Sequence, residues 1–432
     1  MAQENQAAGT MNWMMGSIDD PAELYRNARS PVSSNLFMAG GLSLIGPQWR
    51  SALSLDISSH REKTAFQLSS ILRAGLYGGY EPDSDQRYDF LRAIDYLRYQ
   101  PRGGSGYLRI GALDRMRLGH GQLVNFLSSQ TSWDNRTIGA EARMGGRVLA
   151  IEGFTSDVAK AGLTGLRVAV SPFPGSASGW KSMTLGTALV RDFTSTLENG
   201  SHFEGFESDF RVRIFNSGGF AFTPFASFAR LTSFGQGVQI GADLENANFI
   251  DLARIHLRLA LQYNSSDFRP GYLGSFYPVS NLAASIGSIG SDASEGTDFT
   301  ADIRLRDIKR GNAVNTELRI LIFERFEFWY QFMRYHGEQR LSEYHLRLFF
   351  RSPRLELSVG QDRRGLKGFT SLFSNLGDEN RMRFEVDIRL FARVWAQFDA
   401  HYTYRELLDH EGRKTFGIQR RFDPLLGIRA SF

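Results

Sequence analysis

The chain of 432 residues has no cysteine, which excludes disulfides, thiolate metal sites and thiol nucleophiles. No run of 18 apolar residues occurs in it, which excludes a transmembrane helix. The mean hydropathy of −0.28 also speaks against a helical membrane protein. It leaves open a chain whose strands are apolar at every second position only. Lysine is scarce: of fifty cationic side chains six are lysine (Lys63, Lys160, Lys181, Lys309, Lys367 and Lys414) and the other 44 are arginine. The formal charge of +4 is small for this length, and no basic cluster with interleaved stacking aromatics appears, so nucleic acid is not an expected partner. Gly-x-Ser-x-Gly, P-loop, HExxH and dinucleotide fingerprints are absent, and so is any repeat of fixed period.

What is present is alternation. In Phe206–Ile214, Phe206, Phe210, Val212 and Ile214 share a face opposite Glu207, Asp209, Arg211 and Arg213. In Ala253–Tyr263, Ile255, Leu257, Leu259, Leu261 and Tyr263 oppose Arg254, His256, Arg258 and Gln262. The same holds for Asp298–Arg306, with Arg304 and Arg306 on the polar row, and for Glu343–Phe350. In Arg381–Leu390, Met382, Phe384, Val386, Ile388 and Leu390 oppose Arg381, Arg383, Glu385, Asp387 and Arg389. These segments read as strands. A soluble sandwich, propeller or β-helix with one wet face also alternates, although propellers and solenoids would repeat. A cation facing lipid at mid-membrane costs about 2–4 kcal/mol, so in a barrel the charged rows face a wet lumen and the aliphatic rows face lipid. That makes Arg211, Arg213, Arg254, His256, Arg258, Arg304, Arg306, Arg381, Arg383, Glu385, Asp387 and Arg389 candidate pore-lining residues. Their arginine excess predicts a weak preference for anions.

The chain ends Leu425-Leu426-Gly427-Ile428-Arg429-Ala430-Ser431-Phe432. This alternating strand with a terminal Phe resembles the closing strand of bacterial outer-membrane β-barrels. Gly427, Ala430 and Phe432 stand at the usual spacing, and Leu425 departs from the more typical polar residue. The resemblance implies that these three residues form the signal read by the barrel-insertion machinery. It also implies export to the outer membrane of a Gram-negative cell. Residues 1–6 have neither a basic nor an apolar leader segment, so the expectation is a mature chain whose signal peptide is absent, or one with an initiating Met added.

The fold expectation is all-β: a transmembrane antiparallel β-barrel over 36–432, preceded by a lumenal or periplasmic segment 1–35 with a short helix at Asp19–Arg29. Tight turns are expected at 144–146, 216–218, 324–326, 351–353 and 391–393. Longer links are expected at 80–86, 128–136, 155–164, 195–205, 362–379 and 406–412. This pattern gives about 22 strands, with 18 and 20 as alternatives. Pro424 predicts a bulge or an edge-like irregularity in the last strand. The Gly/Ser/Ala-rich stretch 265–297 is read as one weak strand plus a long loop, with folding into the pore as an open possibility.

Eight histidines (His60, His120, His202, His256, His336, His345, His401 and His410) show no ligand spacing with an acidic partner, so no metal or cofactor is expected. The acidic run Glu81-Pro82-Asp83-Ser84-Asp85 reads as a solvated loop rather than a Ca²⁺ site. Trp49, Tyr77, Tyr96, Trp180, Trp329, Tyr330, Tyr335, Trp395, Tyr402 and Tyr404 are read mainly as interfacial aromatics, with a sugar-stacking track inside the pore as the sharper alternative. Together these features point to a porin-like channel for passive diffusion of small hydrophilic solutes, with outer-membrane lipid and the insertion machinery as partners. The alternative is a scaffold or conduit barrel holding a protein partner in a larger outer-membrane assembly. A barrel enzyme is a third class, and nothing in the spacing of nucleophiles and bases supports it.

Overall fold

The computed structural model describes residues 34–432 except 62, 76–77, 81–82, 84–87, 101–105, 147, 174–177, 197–201, 250–251, 280–304, 306–307, 324, 337–340, 367–379 and 409–413. The helix read at 19–29 lies outside the described residues, as does Asp298–Arg306 apart from Leu305.

The first strands are β1 (Asn35–Ile45), β2 (Gln48–His60), β3 (Thr64–Gly75), β4 (Gly78–Gly79), β5 (Ile94–Tyr99), β6 (Gly106–Gly111), β7 (Gly139–Gly145), β8 (Leu149–Thr155) and β9 (Leu163–Val170). Then come β10 (Thr184–Thr196), β11 (His202–Arg211), β12 (Phe215–Ser217), β13 (Phe220–Leu231), β14 (Gln236–Phe249) and β15 (Ala253–Asn264). The rest are β16 (Gly311–Ile322), β17 (Phe326–His336), β18 (Glu343–Arg351), β19 (Leu355–Arg364), β20 (Asn380–Phe391), β21 (Val394–Leu408) and β22 (Lys414–Ser431). Twenty of them form a closed antiparallel ring, and the short β4 and β12 are extra. Strand β3 pairs past β4 with β5, and β11 pairs past β12 with β13. β1 closes the ring by pairing with both β2 and β22.

The alternation sorts side chains as the sequence requires. On β15, His256, Arg258 and Gln262 are buried inside, while Leu259, Leu261 and Tyr263 stand about half exposed outside. Met38, Leu53, Leu72, Leu166, Leu189, Ile240, Leu426 and Ile428 are outward and exposed in the same way. An apolar belt of this extent far exceeds what a water-soluble surface carries, and it matches the lipid-facing band of a transmembrane barrel.

Asn35 and Ser431 mark one end of the barrel, here the terminal end. The short connections β7–β8, β16–β17, β18–β19 and β20–β21 lie at that end. The opposite end carries the long links, including 112–138 between β6 and β7 and 265–310 between β15 and β16. Pro424 does not create a bulge. Pairing with β1 passes from Gly41↔Leu425 to Leu44↔Phe422 without a register shift, and only the partners of residues 42 and 43 drop out. The ladder to β21 runs unbroken through Phe398↔Pro424. Proline lacks one N–H, and here it interrupts a ladder on one side only.

The aromatic belt needs correction. Trp49 and Trp180 are exposed, but Tyr96, Trp329, Tyr335, Trp395, Tyr402 and Tyr404 are buried. Trp329 and Tyr335 fall on the inward row of β17 and pack on material inside the ring rather than on lipid. Tyr77 lies outside the described residues.

Candidate functional site in the barrel lumen

Two segments fold back from the loop end into the lumen. The first is 112–138, considerably longer than the link expected at 128–136. Leu113, Leu118, Leu123, Val124, Phe126 and Leu127 in it are each no more than 1% exposed. The second is 265–279, the described part of the stretch read as a weak strand and loop. Leu273 forms a parallel bridge to Val124, and Gly271 N donates to Gln122 O at 2.8 Å, so the two segments are tied together.

Inside a barrel, backbone N–H groups of an irregular segment need wall partners. The wall supplies charged ones. Both carboxylate oxygens of Glu207 on β11 accept hydrogen bonds, from His120 N and Leu123 N at 3.1 Å each. Gly119 has φ +62°, and a Cβ there would lie 3.0 Å from Glu207 Oε1, so this approach requires glycine on two counts. Arg117 donates to both oxygens of Glu317 on β16, and Trp329 Nε1 donates to the same carboxylate at 2.8 Å. Phe126 stacks on His345 with centroids 4.2 Å apart and packs against Trp329. Arg347 on β18 bridges Asp114 of the segment and Asp362 of β19. In the second segment, Arg269 pairs with Glu343, and Tyr277 donates to Asp192 at 2.6 Å.

At its far end the first segment reaches β22. Asp134 accepts from Arg421 at 2.6 Å, Gln419 at 2.7 Å and Tyr80 at 2.8 Å. Burial pushes the Asp134 carboxyl up, but the Arg421 charge and these three hydrogen bonds outweigh it and hold it below the usual range. Burial, followed by the neighbouring Asp134 charge, raises the Tyr80 hydroxyl to about 12. Arg136 donates to Arg92 O at 2.7 Å and Trp133 O at 3.3 Å, and burial lowers it to about 10. Burial lowers His120 to about 3, and its ring stacks on Phe225 at 4.1 Å.

The described residues do not fill the lumen evenly. Between Gln130, Trp133 and Arg136 on one side and the wall β1–β3, β5–β6 and β18–β22 on the other lies a cavity of about 340 Å³. Six arginines and seven carboxylates line it, so its charge is nearly balanced. Several are mutually paired. Arg73 bridges Asp83 at 2.7 Å and Asp423 at 2.9 Å, Arg429 pairs with Asp387, and Arg383 pairs with Glu385. Asp83 is therefore engaged by an arginine. The other residues of the acidic run 81–85 lie outside the described residues.

The twelve residues singled out in the sequence are placed as follows. Arg383, Glu385 and Asp387 line the cavity. Arg211, His256, Arg258 and Arg381 are buried inside the ring. His256 Nε2 lies 3.2 Å from Asp243, Arg258 grips both oxygens of Asp243, and Arg381 bonds Asp362. Arg213 is half-buried, and Arg254 and Arg389 are exposed at the terminal end. Arg304 and Arg306 lie outside the described residues. At the seam, Ile428 and Leu426 face outward, Phe432 is 77% exposed, and Gly427 packs on Ala39. The inserted residues Asp114, Arg117, Asn125, Gln130, Trp133, Asp134 and Arg136 were not anticipated. The available signal was the loss of alternation after Gly111, together with Gly119 and Gly121.

The ring closure and the apolar outer belt define a β-barrel of the outer-membrane type. No protein-family model matches the sequence, and no curated protein does. Among solved structures, the chain is similar to OccAB2 of Acinetobacter baumannii at 12% identity and a TM-score of 0.32, covering 93% of this chain and 98% of that one. It is also similar to the outer membrane protein OpdK of Pseudomonas aeruginosa at 10% identity and a TM-score of 0.30, covering 93% and 99%. A third similar structure is Wzi of Escherichia coli, an outer-membrane, carbohydrate-binding β-barrel involved in group 1 capsule assembly. There the identity is 10% and the TM-score 0.34, covering 96% and 87%.

Proposed function

We propose that this protein is a bacterial outer-membrane channel for passive diffusion of small hydrophilic solutes. The path is the charged gap that the inserted segments leave beside β18–β22 and β1–β5. The cavity between Trp133, Arg136 and that wall is the observation that carries this reading. Barrel 36–432 sits in lipid with its terminal end toward the periplasm, and segment 1–35 is a periplasmic or lumenal segment. Gly427, Ala430 and Phe432 serve the insertion machinery.

The arginine excess read from the sequence does not survive as an argument for anion preference. Arg258, Arg381 and Arg383 each have a carboxylate partner, and Arg254 and Arg389 lie at the rim. Six arginines against seven carboxylates support weak selectivity of either sign. Purified protein in a planar bilayer should give a small ohmic conductance whose slight selectivity fades as salt shortens the Debye length below about 10 Å. Well-inserted protein that conducts at no salt concentration would overturn the channel. The second reading, a scaffold barrel in a larger assembly, draws on the buried apolar cluster that joins 112–138 and 265–279 inside the ring. Co-purification of a stoichiometric partner with a non-conducting barrel would establish it.

A further inference from the structure

We propose that Glu385, Asp399 and His401 form a site for a divalent first-row transition ion, such as Zn²⁺, on the wall of the lumen cavity. Glu385 on β20 lies directly opposite Asp399 on β21, and His401 follows two residues on, on the same inward row. One ligand atom from each side chain comes within 4.8 Å of the other two. Glu385 and Asp399 line the cavity, which gives an ion a route to the site.

The histidine supplies the independent observation. Its side chain is 1% exposed, and among the described residues neither Nδ1 nor Nε2 has a hydrogen-bond partner. A buried imidazole without a partner is costly and calls for an explanation. Asp399 Oδ1 nevertheless sits 2.7 Å from Nε2, off the direction of a ring N–H, and is itself without a hydrogen-bond partner. A cation held between the two atoms would satisfy both. Ligands about 2.0–2.2 Å from a common tetrahedral ion stand roughly 3.4 Å apart, so the two atoms would separate by a fraction of an ångström when the ion enters. One imidazole with two carboxylates selects transition ions over Ca²⁺ and Mg²⁺, which favour all-oxygen shells.

Arg383 is the competitor. It pairs with Glu385, and its guanidinium carbon lies 4.8 Å from the Trp133 ring centre. Glu385 therefore reaches the ion in competition with its arginine partner, and the arginine charge weakens the site. The proposal does not depend on conduction, because binding is read on the barrel whether or not it passes solutes.

The test uses the untagged full chain folded in detergent. Calorimetric titration with ZnCl₂ should show one ion per chain. His401→Ala and Asp399→Asn should each weaken binding at least about tenfold, and Arg383→Gln should strengthen it by about tenfold. Trp133 lies 4.2 Å from the His401 ring, so CuCl₂ should quench its fluorescence. Trp133→Phe should remove most of that quenching while leaving the Zn²⁺ heat intact. No binding, or binding unchanged in both His401→Ala and Asp399→Asn, would overturn the site. If His401→Ala fails to fold, as judged by gel mobility before and after heating, Glu385→Gln and Asp399→Asn decide the question by the same criterion.

Discussion

Arg117 and Glu317 are 200 residues apart in sequence and meet inside the barrel, with Arg117 Nη1 and Nη2 donating to the two carboxylate oxygens at 3.3 and 2.8 Å. Neither side chain exceeds 3% exposure. This pair fixes the inserted segment to β16, and with the Glu207 and Asp134 contacts it sets which part of the lumen stays open.

Arg117→Ala should therefore strand a buried carboxylate and lower stability by about 3–5 kcal/mol. It should also raise single-channel conductance, because the segment loses its hold on β16. Replacing both partners with apolar residues, Arg117→Met with Glu317→Leu, should recover much of the stability but keep the conductance change. Urea titration of the reconstituted barrel and bilayer recordings measure the two effects separately. An unchanged conductance in both variants would show that the segment does not bound the path.

Leu259 faces outward near the middle of β15, between Ala242 and Thr316. Leu259→Arg should cost about 2–4 kcal/mol in refolding titrations into lipid vesicles. The inward neighbour behaves differently. Arg258→Leu leaves Asp243 buried without its guanidinium and should cost about 3–5 kcal/mol through loss of the pair rather than through contact with lipid. Transfer from vesicles to detergent should reduce the first penalty and leave the second.

Stability should fall with acid through His120. Burial lowers its pKa from 6.5 to about 3 in the folded protein, while the unfolded chain takes up the proton near 6.5. The contribution is therefore fully present above pH 6.5 and is lost progressively as pH drops from there toward 3, by up to about 1.4 kcal/mol per pH unit. His120→Gln should flatten this slope between pH 6.5 and 4.5 in urea unfolding followed at several pH values. An equally steep slope in the variant would assign the acid sensitivity to other groups.

Gly427 lies at a tight approach of β22 to β1. A Cβ added there would stand 2.6 Å from the Ala39 Cβ and closer still to Met38 O. Gly427→Val should slow ring closure, seen as loss of the heat-modifiable folded band on gels, whereas Ile428→Val on the outward row should not. Deleting Phe432 removes an exposed ring and the Phe432 N to Ser34 O hydrogen bond of 3.0 Å. Its main effect should be a lower outer-membrane yield in cells rather than slower refolding in vitro.

The wall of the barrel was legible because two-residue periodicity records a local constraint. Segments such as Ala253–Tyr263 and Arg381–Leu390 match β15 and β20 to within one residue or two at each end. The filling was not legible, because nothing local marks it. The segment around Leu118-Gly119-His120-Gly121-Gln122-Leu123 lacks alternation, as any loop does. Its fate depends on Glu207, Phe225, Glu317 and Arg347, which arrive from distant strands. For the same reason, Trp329 and Tyr335 passed for interfacial aromatics. A ring at a strand end looks the same in sequence whether lipid or an inserted loop covers it. The cluster of Glu385, Asp399 and His401 needs the β20–β21 register, which no spacing within a single strand reveals.

The seam between β1 and β22 has a mechanical consequence. Asn35 and Ser431 are direct partners at the same end, joined also by a side-chain hydrogen bond of 2.7 Å. Tension applied between them loads the seam from that end, one pair after another, and never shears the whole ladder at once. The ring should therefore part like a zipper at modest force along this line, and the strands farther round should yield only after they have lost a neighbour.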